Sequence, residues 1–169
     1  LKVGYFSKKL HDYTATVRRD HFAGVAGGVS PGHYVYGMAL RVDHTLERFG
    51  LKVMELEEDI LENPKLQLVD ILAKFQEETV VFGALHQMMM QVSTRELRGA
   101  ALLDALWQTL SRAGSLSLER CLAWQLEGVG HIFVNQLVAW IIYGRLVDPY
   151  HAFFVQRAEF SRSDLQDLS

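Results

Sequence analysis

The sequence predicts an all-α protein, an elongated bundle of about five to seven helices, and three observations carry that expectation. Apolar residues recur in steps of three and four along most of the chain, glycines and prolines fall largely between those periodic stretches, and no β-sheet is needed to account for any segment. With 49% hydrophobic and 22% charged residues in a length of 169, the chain has the material for one real core, and residues 1–169 read as a single region.

From Leu1 to about Asp20, Val3, Phe6, Leu10, Tyr13 and Val17 fall on one side while Lys8, Lys9, Asp12, Arg18 and Arg19 fall mostly on the other, an amphipathic helix. The chain begins at Leu1 within that pattern, which suggests a piece of a longer protein, and no cleavable signal pattern is visible. The stretch from Ala23 to Gly32 holds four glycines and a proline without helical or alternating period, so residues 22–33 are expected to form a flexible glycine-rich linker. From Val35 through Met38, Val42, Leu46, Phe49, Val53 and Leu56 to Ile60, seven steps cover 25 residues, about 3.6 per step, and predict one long helix closed near Asn63 by Pro64. A third pattern uses Leu68, Leu72, Phe75, Thr79 and Phe82, and a fourth, after an expected break at Gly83, uses Leu85, Met89 and Val92. Ser93 and Glu96 have the spacing of a capping box and predict a fresh start, with Leu103, Leu106, Trp107 and Leu110 on the apolar side and a left-handed cap at Ala113-Gly114. The last long pattern runs through Leu118, Leu122, Leu126, Val129, Phe133, Leu137 and Trp140. It gains Val138, Ile141, Ile142 and Tyr143 on other faces, so its end is expected to be buried all round. Gly144 can stop it, Asp148-Pro149 makes a turn, and Phe153-Phe154-Val155 forms a plug before a polar tail to Ser169, the segment 144–169.

Composition excludes several function classes. A formal charge of −3 with no basic excess lacks the footprint of a protein that wraps nucleic acid or lies on an anionic membrane. Apolar runs broken by Asn135, Gln136 and Arg145 fall short of the roughly 20 residues of a membrane span. One cysteine, Cys121, leaves neither a disulfide framework nor a cysteine-rich zinc site and suits a reducing compartment. A di-iron bundle needs two Glu-x-x-His pairs, which are missing, and Asp148 with His151 is better explained as a turn than as a metal pair. His11 and His21 are expected on the surface, Met88, Met89 and Met90 as core filling with Met89 inward, and Glu55, Glu57, Glu58, Asp59 and Glu62 as a solvated face. The glycines before Gly32 lack the Lys-Ser/Thr and the preceding strand of a phosphate loop, and the serines, histidines and aspartates show no nucleophile motif. No catalytic residue, cofactor or metal site is therefore assigned, and the residues by themselves point to a binding or scaffolding role.

The stretch from Leu137 to Val155 resembles the gamma-tubulin complex component (Spc97/Spc98) family, in which a Gln-Leu-x-x-Trp helix runs into a glycine, an aspartate and a Phe-Phe end. Here those residues are Gln136, Leu137, Trp140, Gly144, Asp148, Phe153 and Phe154, with Pro149 in the turn. Tyr34, Leu56, Glu57, Leu61 and Pro64 resemble the family's long helix, and Gly99, Leu103, Leu106 and Trp107 its Gly-x-x-Leu-Leu-x-x-Leu-Tyr segment. The acidic residue usual before Phe-Phe is Ala152 here, and Gly83 stands where many members carry proline. The resemblance covers nearly the whole chain and is nearest the component 4 type. It implies the N-terminal half of a scaffold subunit, not an enzyme. That half would pack laterally against sister components, while an absent C-terminal half holds gamma-tubulin, in assemblies that template microtubule nucleation at centrosomes or spindle poles. Neither nucleic acid nor membrane is implied as a partner. The rival expectation is an unrelated α-helical tethering or adaptor rod.

Overall fold

The 3.6-residue period that starts at Val35 folds as one uninterrupted helix, and the other elements gather around it. The computed structural model describes residues 2–25, 30–63 and 67–156. It contains α1 (Lys2–Val25), α2 (Gly32–Glu62), α3 (Leu68–Lys74), α4 (Gln76–Arg95), α5 (Gly99–Leu110) and α6 (Leu116–Tyr143), with no strand among the described residues. At ~1.5 Å per residue, the 31 residues of α2 extend about 46 Å, long enough to serve several neighbours along its length. It packs against α1, α4, α5 and α6. Helix α1 also packs on α4, α6 also packs on α4 and α5, and α3 packs on α4.

Val3, Leu10 and Val17 turn inward from α1 at seven-residue intervals, joined by the fully buried Thr14. A buried hydroxyl without a partner is costly, and the Thr14 hydroxyl donates to Asp43 Oδ1 of α2 at 2.5 Å, while Arg18 pairs with Asp43 Oδ2 at 3.2 Å. This polar clasp fixes the register of α1 on α2 within an otherwise apolar seam. On α2, Tyr34, Val35, Met38, Ala39, Val42 and Leu56 are buried, and they meet Phe82, Leu85, Met88, Met89 and Val92 of α4 and Leu122 and Val129 of α6 in one core. Where α2 and α6 cross, Gly128 makes room for Arg41. A Cβ there would collide with the guanidinium, which lies 4.6 Å from the centre of the Trp124 ring and donates to the Trp124 carbonyl.

Several sequence expectations move. Helix α1 continues to Val25 and α2 starts at Gly32, so residues 22–25 and 32–33 of the expected linker at 22–33 are helical, while 26–29 lie outside the described residues. Pro64 and the tail 157–169 also lie outside them, and α2 ends at Glu62 with Asn63 as its cap. The break expected at Gly83 is at Phe75. There the backbone turns (φ −108°, ψ 12°) and the buried ring packs edge-on to Phe49 at 5.5 Å. Gly83 stays helical in α4 beside the Phe6 ring of α1.

No capping box forms at Ser93 and Glu96. Ser93 remains in α4, Glu96 is its left-handed C-cap (φ 50°, ψ 42°), and α5 begins at Gly99. Gly99, Leu102 and Leu106 are the buried residues of α5, whereas Trp107 is 59% exposed and lies on the opposite side from the core. Helix α5 ends at Leu110, and Gly114 is not left-handed. Ser115 instead caps α6 by accepting the Leu118 N–H at 3.3 Å. Met88 is buried beside Met89. By length and composition α6 is apolar enough to cross a membrane, contrary to the expectation from its interrupted runs, but its inner face packs on α2, α4 and α5 around Leu122, Gln125 and Val129.

Phe82, 1% exposed and 5.0 Å from the Phe49 ring, joins α4 to α2. Phe82→Ala should lower stability by about 3–5 kcal/mol in denaturant unfolding, against a change of no more than ~0.5 kcal/mol for Trp107→Gln on the outer face of α5.

A carboxyl-terminal hook and an uncovered helix face as the candidate interaction site

Helix α6 stops because Gly144 takes a left-handed conformation (φ 61°), which lets its N–H reach the Trp140 carbonyl at 3.1 Å and Arg145 N–H the Ala139 carbonyl at 3.1 Å. The chain then reverses at Asp148-Pro149, with Pro149 exposed. One carboxylate holds the reversal, since Asp148 Oδ1 accepts the Ala152 N–H at 3.0 Å and Oδ2 the Phe153 N–H at 2.7 Å. His151 between them is left-handed at φ 50°.

The hook presses its phenylalanines back on α6. Phe153 is 3% exposed, with its ring 5.7 Å from Phe133 and 6.3 Å from Trp140. Phe154 also lies against Trp140, at 6.0 Å, but remains 57% exposed, so the plug is one buried ring shielded by a second. Gln136 ties the hook to the body. Its Oε1 accepts from the Tyr34 hydroxyl at 2.5 Å, and its Nε2 donates to the Val147 carbonyl at 3.2 Å. Burial, and then the Asp148 charge, push the Tyr34 phenol up to about 12, which keeps it a donor throughout the physiological range. Leu137 is half-buried on the same helix. Gly99 completes the seat. It starts α5 at φ 52°, and a side chain there would collide with the Ala152 carbonyl. The structure thus brings Gln136, Trp140, Gly144, Asp148, Phe153 and Phe154 together, and adds Tyr34 and Gly99 from distant sequence.

Tyr150 reaches the α1–α2 junction, where it packs edge-on to His33 at 4.7 Å. Beneath it His21 stacks on Tyr36 at 4.1 Å, with Nδ1 3.3 Å from the Ser30 hydroxyl. His21 is buried, contrary to the surface position expected for it, because α1 continues past Asp20 and carries it onto the inward face. The spacing of Leu10, Thr14, Val17 and His21 was the available signal.

The outer face of α6 changes character along its length. Its first half carries the exposed Glu119 and Glu127, and its second half carries His131 and then Val134, Val138, Ile141, Ile142 and Tyr143, the last five 40–69% exposed. That end was expected to be buried all round, but the bundle contacts only one side of it. Contiguous apolar exposure of this kind marks a surface that meets another protein surface. Among the described residues no group of three or more metal-ligating side chains occurs.

The described residues form an all-helical body with a fixed hook and an uncovered apolar helix face. The chain belongs to the gamma-tubulin complex component family, whose N-terminal description, "Gamma tubulin complex component N-terminal", matches residues 4–168. It is 25% identical over 142 residues to gamma-tubulin complex component 4 of Arabidopsis thaliana, covering 84% of this chain and 19% of that protein. It is 23% identical over 159 residues to gamma-tubulin complex component 4 of Mus musculus and, likewise, of Homo sapiens, covering 92% of this chain and 24% of each relative. The chain therefore spans about a fifth to a quarter of the length of these curated relatives.

The hook predicts an ordered series of stabilities. Phe153→Ala should cost about 3–5 kcal/mol and Asp148→Ala, which strands two backbone N–H groups, about 1–3 kcal/mol, while Phe154→Ala should cost less than Phe153→Ala. Equal melting temperatures for all three variants and the parent would contradict the seating described.

His21 gives a pH signature. Desolvation first, and then the neighbouring His33, hold its pKa below the ordinary histidine value, so the unfolded chain binds more protons there than the folded one. The stability contributed by neutral His21 is complete above the unfolded value of about 6.5 and is lost as pH falls below it toward the folded value. Denaturant midpoints should fall through that window, and His21→Gln should flatten that part of the profile.

Proposed function

We propose that the chain is the N-terminal part of a scaffold subunit of gamma-tubulin assemblies, acting by placement and not by catalysis. Its helical body makes lateral contacts with the equivalent parts of sister components. Gamma-tubulin is held by another part of the protein, and side-by-side packing sets the gamma-tubulins in an array that templates microtubule nucleation. Linking sites in this way raises the local concentration of each tubulin for the next and fixes the geometry, with no bond made or broken by the scaffold. The family match across residues 4–168 is the observation that carries the reading. The uncovered apolar half of α6 supports it, because a working scaffold keeps faces that only its partners or its own further length complete. We place the activity at microtubule-organising centres, the centrosome or the spindle pole.

The apolar run from Val134 to Tyr143 suits intramolecular cover, given that the relatives are four to five times longer than the matched region. In this reading the turn at Asp148-Pro149, with the plug at Phe153 and Phe154, is a structural motif that sets the end of α6 for that cover.

A pull-down with the chain against purified gamma-tubulin and, separately, against the N-terminal half of a sister component should capture the sister half and leave gamma-tubulin unbound. Capture of gamma-tubulin without the sister half would overturn the division of labour, and capture of neither would favour an α-helical tethering rod.

A further inference from the structure

The second half of α2 has two apolar sides. Inward, Phe49, Val53 and Leu56 join the core. Outward, Leu51, Met54, Glu58 and Leu61 follow one another in steps of three, four and three, the spacing that aligns residues along one side of a helix. Leu51 is 61%, Met54 60% and Leu61 81% exposed, so this outer seam lies uncovered. Single exposed apolar residues need no explanation, but large ones repeated at this spacing are what one helix offers to another.

The borders of the seam carry one sign of charge. Residues 54–62 hold Glu55, Glu57, Glu58, Asp59 and Glu62 and neither lysine nor arginine. Glu55, Glu57 and Glu62 stand beside the seam and Glu58 within it. The helix itself gains nothing from them. Glu55 with Asp59, and Glu58 with Glu62, are like charges four residues apart, and the run sits at the C-terminal end, where the helix dipole is already negative and α2 has no basic residue in its last turn. The neighbouring cations relieve little of this. Lys74 is held by Asp59 and Lys52 by Glu78 of α4, while Arg48 and, beside Gly50, Lys8 of α1 lie before the acidic border begins. An occupant must therefore be apolar along its middle and cationic along its edges. A second copy of this chain does not qualify, since in either orientation the glutamates bordering one helix would face those of the other.

We propose that this outer face of α2 docks a basic amphipathic helix of a partner protein, which lays its apolar residues on Leu51, Met54 and Leu61 and its lysines or arginines on Glu57, Glu58 and Glu62. The mode is the pairing of two helices along apolar seams, with the bordering charges choosing the partner. The like charges that forbid self-pairing are the same ones that select a cationic helix. The inference does not rest on the lateral contacts proposed above, and it uses a different helix from the uncovered face of α6.

The test uses a pair of synthetic helical peptides of one design, with leucine along the seam and either lysine or glutamate at the bordering positions, titrated against the full chain by fluorescence anisotropy. The lysine peptide should bind and the glutamate peptide should not. Met54→Gln with Leu61→Gln keeps every charge, and Glu57→Lys with Glu62→Lys keeps the apolar seam. All four positions are exposed, so both double variants should retain the helical circular dichroism of the parent, and each should weaken the lysine peptide by at least about tenfold. No binding of the lysine peptide, equal binding of the two peptides, or either double variant holding the lysine peptide as tightly as the parent would overturn the proposal. So would a dimer of the chain in sedimentation that Leu61→Gln dissolves, since a second copy would then be the occupant.

Discussion

The Asp148 carboxylate is the constraint on which the far end of the molecule depends. After α6 the chain must turn back, and a turn leaves backbone N–H groups without partners. Asp148 takes two of them, one on each oxygen. With those two bonds in place, Phe153 falls on Phe133 and Trp140, Ala152 on Gly99, and Tyr150 on the junction between α1 and α2. Helices that are remote in sequence are thereby held by a segment without regular structure. The cooperation of Gln136 matters here, because its amide joins the hook's Val147 carbonyl to the Tyr34 phenol at the start of α2.

The rest of the bundle uses a few polar pins in an apolar body. Asp43 clasps α1, Lys52 and Glu78 pair α2 with α4, and Arg41 lies across α6 on Trp124. Pins of this kind add little net stability by themselves, but they penalise any sliding of one helix along another, since a shift would leave partly buried charges unpaired. Gln125 is the exception. Fully buried, with both amide atoms lacking hydrogen-bond partners among the described residues, it sits along α6 as a polar group in the core.

The helices were legible because burial on one side imposes a 3.6-residue period, and α2 in particular is what its apolar spacing describes. Their ends were less so. Gly83 reads as a break by propensity but continues α4, and the break falls at Phe75, a residue with no breaking tendency of its own. Trp107 reads as core by hydrophobicity, but its angular position on α5 puts it outside. The hook was legible as a motif through Trp140, Asp148 and Phe153, whereas its partners Tyr34 and Gly99 lie too far away in sequence for spacing to reveal them. The apolar end of α6 was legible as composition only, because a pattern apolar on every side states that cover is needed and not what supplies it.

The meeting of Gly99 with Ala152 is a contact of main chain with main chain, and that has a consequence for how such a sequence can drift. At 99 the alphabet closes to one letter, since any side chain would displace the Ala152 carbonyl from a backbone already in the left-handed region. At 152 the joint itself uses only the carbonyl and the N–H, so the side chain there is restricted by its packing on the core and not by the joint. The two halves of one contact thus tolerate substitution very unequally. A joint made of backbone can outlast wide divergence in the side chains around it.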